Sequence, residues 1–485
     1  TAIEVRVHCT RGASSFASPL SRQLLTAPRQ RTNFYTRLGT VPRRDPSGRT
    51  GLHGVLRFWA GRDTNHSDAP GRFLSSHSAE LGPRGWAEGE GIVKSTRPAT
   101  ASRLGAVLAL TATAWLLAGA EQQTSLLRNP KYAVWLRPAY LRGANVAVTQ
   151  TWHQQPTAET FTSLRAQGAN FVKLVAEGIQ QINAPYGDDT AAARSLDLAV
   201  RNAGNAGLYV VISMLTGPGL VSVAVEAKQQ GLQSVLWVQP AARTAFAHMW
   251  QRLASRYRGD SMVIGYNLIV EPLPEAAAPE LKTTCCASKS DSALRRRGLD
   301  WPAFADRIIG AIRQRDSLTP IVVDATGFAA PSYFAIMRPV HDRYVVYDVH
   351  QYEPTRYTEQ GNTPTSPVDL AFPGARFQYW RDGNREHTLD TTFLRSVLWP
   401  VAEFQRHQGG VPVIVGEFGV NRQAPGAAAF IAAETKVFDT FGWHGAIWLW
   451  GPFGNMEVTA DDSMGDQARR AILRAYQDYW RGTSP

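Results

Sequence analysis

VIGYNLIVEP, Val263 to Pro272, is a run of β-branched and apolar residues that ends in a carboxylate, Glu271, and a proline. Such a run reads as a strand buried on both faces, as in parallel sheets. Pro272 has no N–H to give a ladder, so the strand is expected to stop there with Glu271 at its carboxyl end. VPVIVGEFG, Val411 to Gly419, has the same form and delivers Glu417. Two buried strands that each end in a glutamate supply the pair of carboxyl groups that glycosidic-bond hydrolysis uses.

Outward from these two runs, the chain alternates strand-like and helix-like segments from Tyr140 onward. The other candidate strands are YLRGANVAV (140–148), ANFVKLV (169–175), LYVVISML (208–215), PIVVDAT (320–326), YVVYDVH (344–350) and GAIWLW (445–450). TAETFTSLRAQG, AARTAFAHMWQRLASRYRG, WPAFADRIIGAIRQRD and DQARRAILRAYQDYW carry helical patterns, with Asp or Thr near several starts and Gly168, Gly207 and Gly259 after three ends. Eight strands alternating with helices point to an α/β fold, the (β/α)8 TIM barrel. A doubly wound open sheet is the alternative, but no G-x-G-x-x-G opens a helix, and Gly217-Pro218-Gly219 reads as a turn. Long connections at about 273–300 and 351–390 leave strand carboxyl ends, where loops of that length form cleft walls.

Of the 485 residues, 44% are hydrophobic and 19% charged, ample for a large core. The net charge of +11 is concentrated at the start: residues 1–100 hold 15 Lys+Arg against 7 Asp+Glu, and the rest hold 36 against 33. No basic face follows for the folded part, which argues against nucleic acid as a partner. Cys9, Cys285 and Cys286 allow neither a disulfide framework nor zinc-ligand spacing. The adjacent pair reads as two thiols in a loop, with a vicinal disulfide as the rarer alternative. No metal or cofactor is implied.

Residues 1–92 lack sustained periodicity and read as a disordered or upstream-translated leader. Residues 93–120 have the three parts of a secretory signal peptide: Lys94, Arg97 and Arg103, then LGAVLALTATAWLLAGA, then small residues at Ala118 and Ala120. The expectation is a natural start near Val93, from a non-AUG codon, with residues 121–485 as the catalytic domain. An N-terminal membrane anchor is the alternative, although the run is short for a bilayer span. The expectation is secretion, extracellular or periplasmic, with no stable membrane association after cleavage and a monomeric state.

With period-two alternation, Asp348, His350 and Tyr352 share one face of the sixth strand, and Trp448 and Trp450 one face of the eighth. An indole at a barrel mouth suits the C–H face of a sugar ring. Either Trp could equally fill the barrel. Trp152, Trp237 and Trp380 are further loop aromatics.

On the Glu271-Pro272 of strand four, His350-x-Tyr352 of strand six, Gly416-Glu417-Phe418-Gly419 of strand seven and the strand-eight Trp448, residues 140–480 resemble glycoside hydrolase family 5, the cellulase-type barrels of the retaining clan. HQYEPTRYTEQG, His350 to Gly361, is similar to the strand-six loop of bacterial members. The resemblance implies a secreted endo-β-1,4-glucanase with Glu271 as general acid/base and Glu417 as nucleophile. It implies that His350 and Tyr352 line the pocket of the sugar being cleaved, that Trp448 is its platform, and that Lys173 and Trp152 assist binding. The substrate would be a β-linked polysaccharide or oligosaccharide. Mannan, other β-glucans and glycosylceramide share the same chemistry. Three positions depart from the family pattern: Val270 stands where Asn precedes the acid, Lys173 replaces an Arg, and SMLTGPG lacks the strand-three His. Losing the Asn donor to the sugar would cost about 10²–10³ in rate, which keeps open a weakly active or non-catalytic carbohydrate-binding barrel.

Overall fold

Eight strands of the computed structural model pair in parallel and close on themselves. The described residues are 126–149, 155–222, 235–278, 287–362, 367–451, 456 and 467–482. The leader, the signal-peptide segment, Trp152 and all three cysteines lie outside them.

The strands are β1 (Arg142–Val148), β2 (Phe171–Ala176), β3 (Tyr209–Met214), β4 (Val263–Asn267), β5 (Ile321–Asp324), β6 (Val345–Gln351), β7 (Arg376–Tyr379), β8 (Arg385–Thr388), β9 (Val413–Phe418) and β10 (His444–Ile447). Around the barrel the order is β1-β10-β9-β6-β5-β4-β3-β2, so strands consecutive in the barrel are neighbours, and β7 and β8 form a separate antiparallel hairpin. The helices are α1 (Pro130–Trp135), α2 (Ala158–Ala166), α3 (Thr190–Asn205), α4 (Pro240–Tyr257), α5 (Ala287–Arg296), α6 (Trp301–Arg313), α7 (Thr355–Thr358), α8 (Thr391–His407), α9 (Ala427–Phe441) and α10 (Gln467–Arg481). Several start where a side chain caps them: Thr157, Asp189, Asp300 and Asp390 each accept from a backbone N–H of the first turn. The expected barrel is therefore the observed one.

Two boundaries differ from expectation in ways that matter. β4 ends at Asn267, four residues before Glu271. Leu268 and Val270 still donate to Val322 and Met214 of the flanking strands, but Glu271 itself turns to a left-handed φ of 52°. β10 ends at Ile447, so strand alternation no longer governs Trp448 and Trp450, and they do not share a face. Trp448 packs with Tyr352 and Val270, whereas Trp450 sits edge-on against Trp480 and donates to the Thr160 carbonyl in the outer core.

Inside the barrel the side chains lie in layers. At the amino-terminal end, Phe171, Val211, Ile264, Val322, Val346 and Ile414 pack against Trp135 and Tyr132 of α1. The Trp135 indole donates to the Ile264 carbonyl at 2.8 Å, which makes this helix a plug. One step along the strands the residues become polar: Asn145, Lys173, Ser213, Asn267, Asp324 and Asp348, all buried. Barrel interiors are normally filled by bulky branched residues, so a polar layer here has to be explained by what lies above it.

Candidate active site

Above the polar layer stand Glu271, His350, Tyr352 and Glu417. Glu417 comes from β9 where the chain bulges: Val349 pairs with Val415 but His350 pairs with Glu417, skipping Gly416. A bulge adds a residue and re-aims the next side chain. Gly416 also lies where a Cβ would come within 2.1 Å of the Asp348 carboxylate, so only glycine lets the backbone approach it.

The two glutamates, 1% and 0% exposed, meet at His350. Its Nδ1 lies 2.9 Å from Glu271 Oε1 and 3.4 Å from Glu417 Oε2. The donor atoms of these three residues all fall within 4.8 Å of one another. Tyr352 donates its hydroxyl to Glu417 Oε2 at 3.1 Å. Glu417 Oε1 has no hydrogen-bond partner among the described residues. His350 and Tyr352, which sequence alternation puts on one face of the strand, both lie against Glu417.

The layer beneath holds the glutamates in place. Asp348 accepts from the Gly416 backbone N–H at 2.8 Å and from Lys173 Nζ at 2.8 Å. Asp324 accepts from the Glu271 backbone N–H at 2.9 Å and from the Asn267 amide. Lys173 Nζ lies 3.4 Å from His350 Nε2. Lys173, expected beside substrate, is thus a fully buried structural cation whose hydrogen-bonded partners are Asp348 and His350. Asp324 and Asn267 were not singled out from sequence as site residues. The signal was present, since IVVD ends an apolar run in a carboxylate just as LIVE does.

Burial dominates the electrostatics. It pushes Glu417 up to about 8, with Asp348 and Asp324 adding repulsion and Lys173 and the Tyr352 hydrogen bond opposing. Burial and Asp348 likewise push Asp324 up to about 8. Asp348 is also raised by burial, against the pull of Lys173. Burial and the Lys173 charge hold His350 well below its ordinary value, so the imidazole is neutral at neutral pH. Burial disfavours the charge on Lys173, but Asp348, Asp324 and Glu417 outweigh it and its pKa rises. Two donor sets, Glu271/His350/Glu417 and Asp324/Asp348/His350, are close enough to share a cation; His350 belongs to both.

Around the glutamates the rim is apolar. Val175, Leu215, Val270, Leu273, Ala276, Leu449 and Met456 pack with Tyr352 and Trp448, and Phe328 leans on them. Val270, which precedes the acid, and Leu215, which follows β3, are both buried in this cluster. Trp237, read from sequence as a loop aromatic, is core instead, packed edge-on against Trp301 and Phe304. Trp380 is 40% exposed. It sits just past β7, beside Arg381, which pairs with Glu353 next to Tyr352.

A family model described as cellulase (glycosyl hydrolase family 5) matches residues 137–454. Cellodextrinase A of Ruminococcus flavefaciens is 26% identical over 175 residues, 36% of this chain and 44% of that protein. Endoglucanase 3 of Fibrobacter succinogenes (strain ATCC 19169 / S85) is 24% identical over 203 residues, 36% of this chain and 29% of that protein. The chain thus spans less than half the length of these curated relatives. Among solved structures, endoglucanase Cel5A from Thermotoga maritima superposes with a TM-score of 0.53 at 17% identity, covering 70% of this chain and 99% of that one.

Proposed function

Because the chain belongs to glycosyl hydrolase family 5, we propose that it is an endo-β-1,4-glucanase acting by retaining double displacement, with Glu417 as nucleophile and Glu271 as general acid/base. The observation that carries this reading is the glutamate pair, with oxygens within 4.8 Å of each other and bridged by His350 Nδ1. Retaining glycosidases hold their carboxyl groups about 5–5.5 Å apart, whereas inverting ones leave about 6.5–9.5 Å for a water.

In the first step Glu417 Oε1, which has no hydrogen-bond partner among the described residues, attacks the anomeric carbon while Glu271 gives its proton to the leaving glycosidic oxygen. The C–O bond breaks and a glycosyl ester forms on Glu417. In the second step Glu271, now a carboxylate, takes a proton from water. The resulting hydroxyl attacks the anomeric carbon and releases Glu417. Tyr352 fixes Oε2 of the nucleophile throughout, and neutral His350 holds both carboxyls in register.

The relatives named cellodextrinase and endoglucanase support a glucan as substrate. A mannan is the second reading, favoured by a structure of T. maritima Cel5A in complex with mannotriose. Secretion is proposed from residues 93–120; no described helix is long and apolar enough to cross a membrane.

The test is hydrolysis of carboxymethylcellulose, mannan and aryl β-glycosides by wild type, Glu271→Gln and Glu417→Gln. Loss of at least about 10³ in kcat on the glucan is expected for Glu417→Gln, the scale of losing a triad-type nucleophile. Turnover that survives both substitutions would rule out the two-glutamate mechanism. Binding without turnover in wild type would instead indicate a carbohydrate-binding barrel.

A further inference from the structure

Glu271 stands four residues past the end of β4 in a left-handed backbone conformation. For a residue with a Cβ this conformation is strained and persists only where its surroundings hold it. The contact on its N–H is Asp324, whose Oδ2 accepts it at 2.9 Å. The other oxygen of Asp324 accepts from Asn267, the last residue of β4. Its backbone carbonyl accepts from the Trp301 indole at 2.8 Å, so Asp324 is itself anchored from α6. Asp324 Oδ2 also lies 3.5 Å from His350 Nε2, and the other nitrogen of that ring lies 2.9 Å from the Glu271 carboxyl. One buried carboxyl therefore reaches Glu271 twice, at its backbone directly and at its side chain through the imidazole.

Resting on the assignment of Glu271 as acid, we propose that Asp324 is the positioning residue for proton delivery. It sets the backbone turn and, through His350, the orientation of the carboxyl that protonates the leaving oxygen. Asp348 has the corresponding place under the nucleophile, on the Gly416 N–H. The two glutamates therefore have separate backbone supports, and damage to Asp324 falls chiefly on the acid.

The test uses the full chain carrying Asp324→Ala or Asp324→Asn, with phenyl and dinitrophenyl β-glycosides. Dinitrophenolate leaves without a proton; phenolate needs one. For Asp324→Ala, kcat/KM on the phenyl substrate is expected to fall about 100-fold and on the dinitrophenyl substrate less than about fivefold, since general acid catalysis contributes about 10²–10⁴. Asp324→Asn keeps one acceptor oxygen, and its phenyl-to-dinitrophenyl ratio should fall by about tenfold, as for a modest misplacement of a catalytic group. The ratio is internal to each preparation, so it is independent of how much of a variant folds. An unchanged ratio in Asp324→Asn, or equal losses on both substrates, would overturn the proposal. Failure of the acid assignment itself would show separately, as a Glu271→Gln variant with an unchanged ratio.

Discussion

Tyr352 decides how the two glutamates differ. Its hydroxyl bonds Glu417 and favours the charged form that burial disfavours. Glu417 must be ionised to attack, and burial pushes its carboxyl up to about 8. The kcat/KM profile reports free-enzyme ionisations. Its acid limb should therefore lie well above the ordinary carboxylate range, with activity rising as pH increases towards neutral. Tyr352→Phe removes a hydrogen bond to a charged group, a contact worth about 1.5–3 kcal/mol. It should lower kcat/KM about 10- to 100-fold and move the limb further up. A pH–rate series on an aryl glycoside checks both, and a limb that stays near pH 4 would contradict the electrostatics. At this scale Glu271, Glu417, His350 and Tyr352 were legible because strand ends and period-two faces are local properties of sequence. Asp324 and Asn267 were not. Asp324 was marked only by an apolar run ending in a carboxylate, and its role with Asn267 depends on a hydrogen bond between neighbouring strands, 57 positions apart in the chain.

Elements were read unevenly for a related reason. Buried strands and long amphipathic helices announce themselves through apolar periodicity over many residues. The six-residue plug α1 is too short to show a period, yet its Trp135 closes the barrel floor. The β7–β8 hairpin was read as loop, although Arg376–Tyr379 alternates exposed and buried residues and Gly383 and Asn384 supply the left-handed turn. That hairpin carries Trp380, and the Arg381–Glu353 pair ties it to the residue after Tyr352. If the enzyme grips an extended chain, Trp380→Ala should raise KM on a long glucan about 2- to 10-fold, the scale of one aromatic contact. An aryl cellobioside should be unaffected. Equal effects on the two substrates would place Trp380 outside the binding face.

For the whole molecule, the eightfold alternation was enough to specify the barrel, because helix-covered parallel strands must close or stack and these close. The polar middle layer was not foreseen, and it couples folding to pH. Glu417 and Asp324, both raised to about 8, keep protons in the folded state that the unfolded chain releases near 4. Where the folded state binds more protons, stability falls as pH rises. His350 and His444, the latter held near 4 by burial, work in the opposite direction below about 6.5. Above about 6.5 only the carboxyls remain, so Tm should drop between about pH 6.5 and 8. Glu417→Gln should flatten that slope, and thermal melts across the interval in both proteins check it.

Two displacements at one carbon require a glutamate nucleophile close to its acid partner. Proton NMR of the reducing-end sugar in the first seconds of hydrolysis of a β-linked cello-oligosaccharide tests the double displacement most directly. The β-anomer should appear first, with the α-anomer following only by mutarotation; an α-anomer formed first would mean single displacement by water and would contradict the assignment of Glu417.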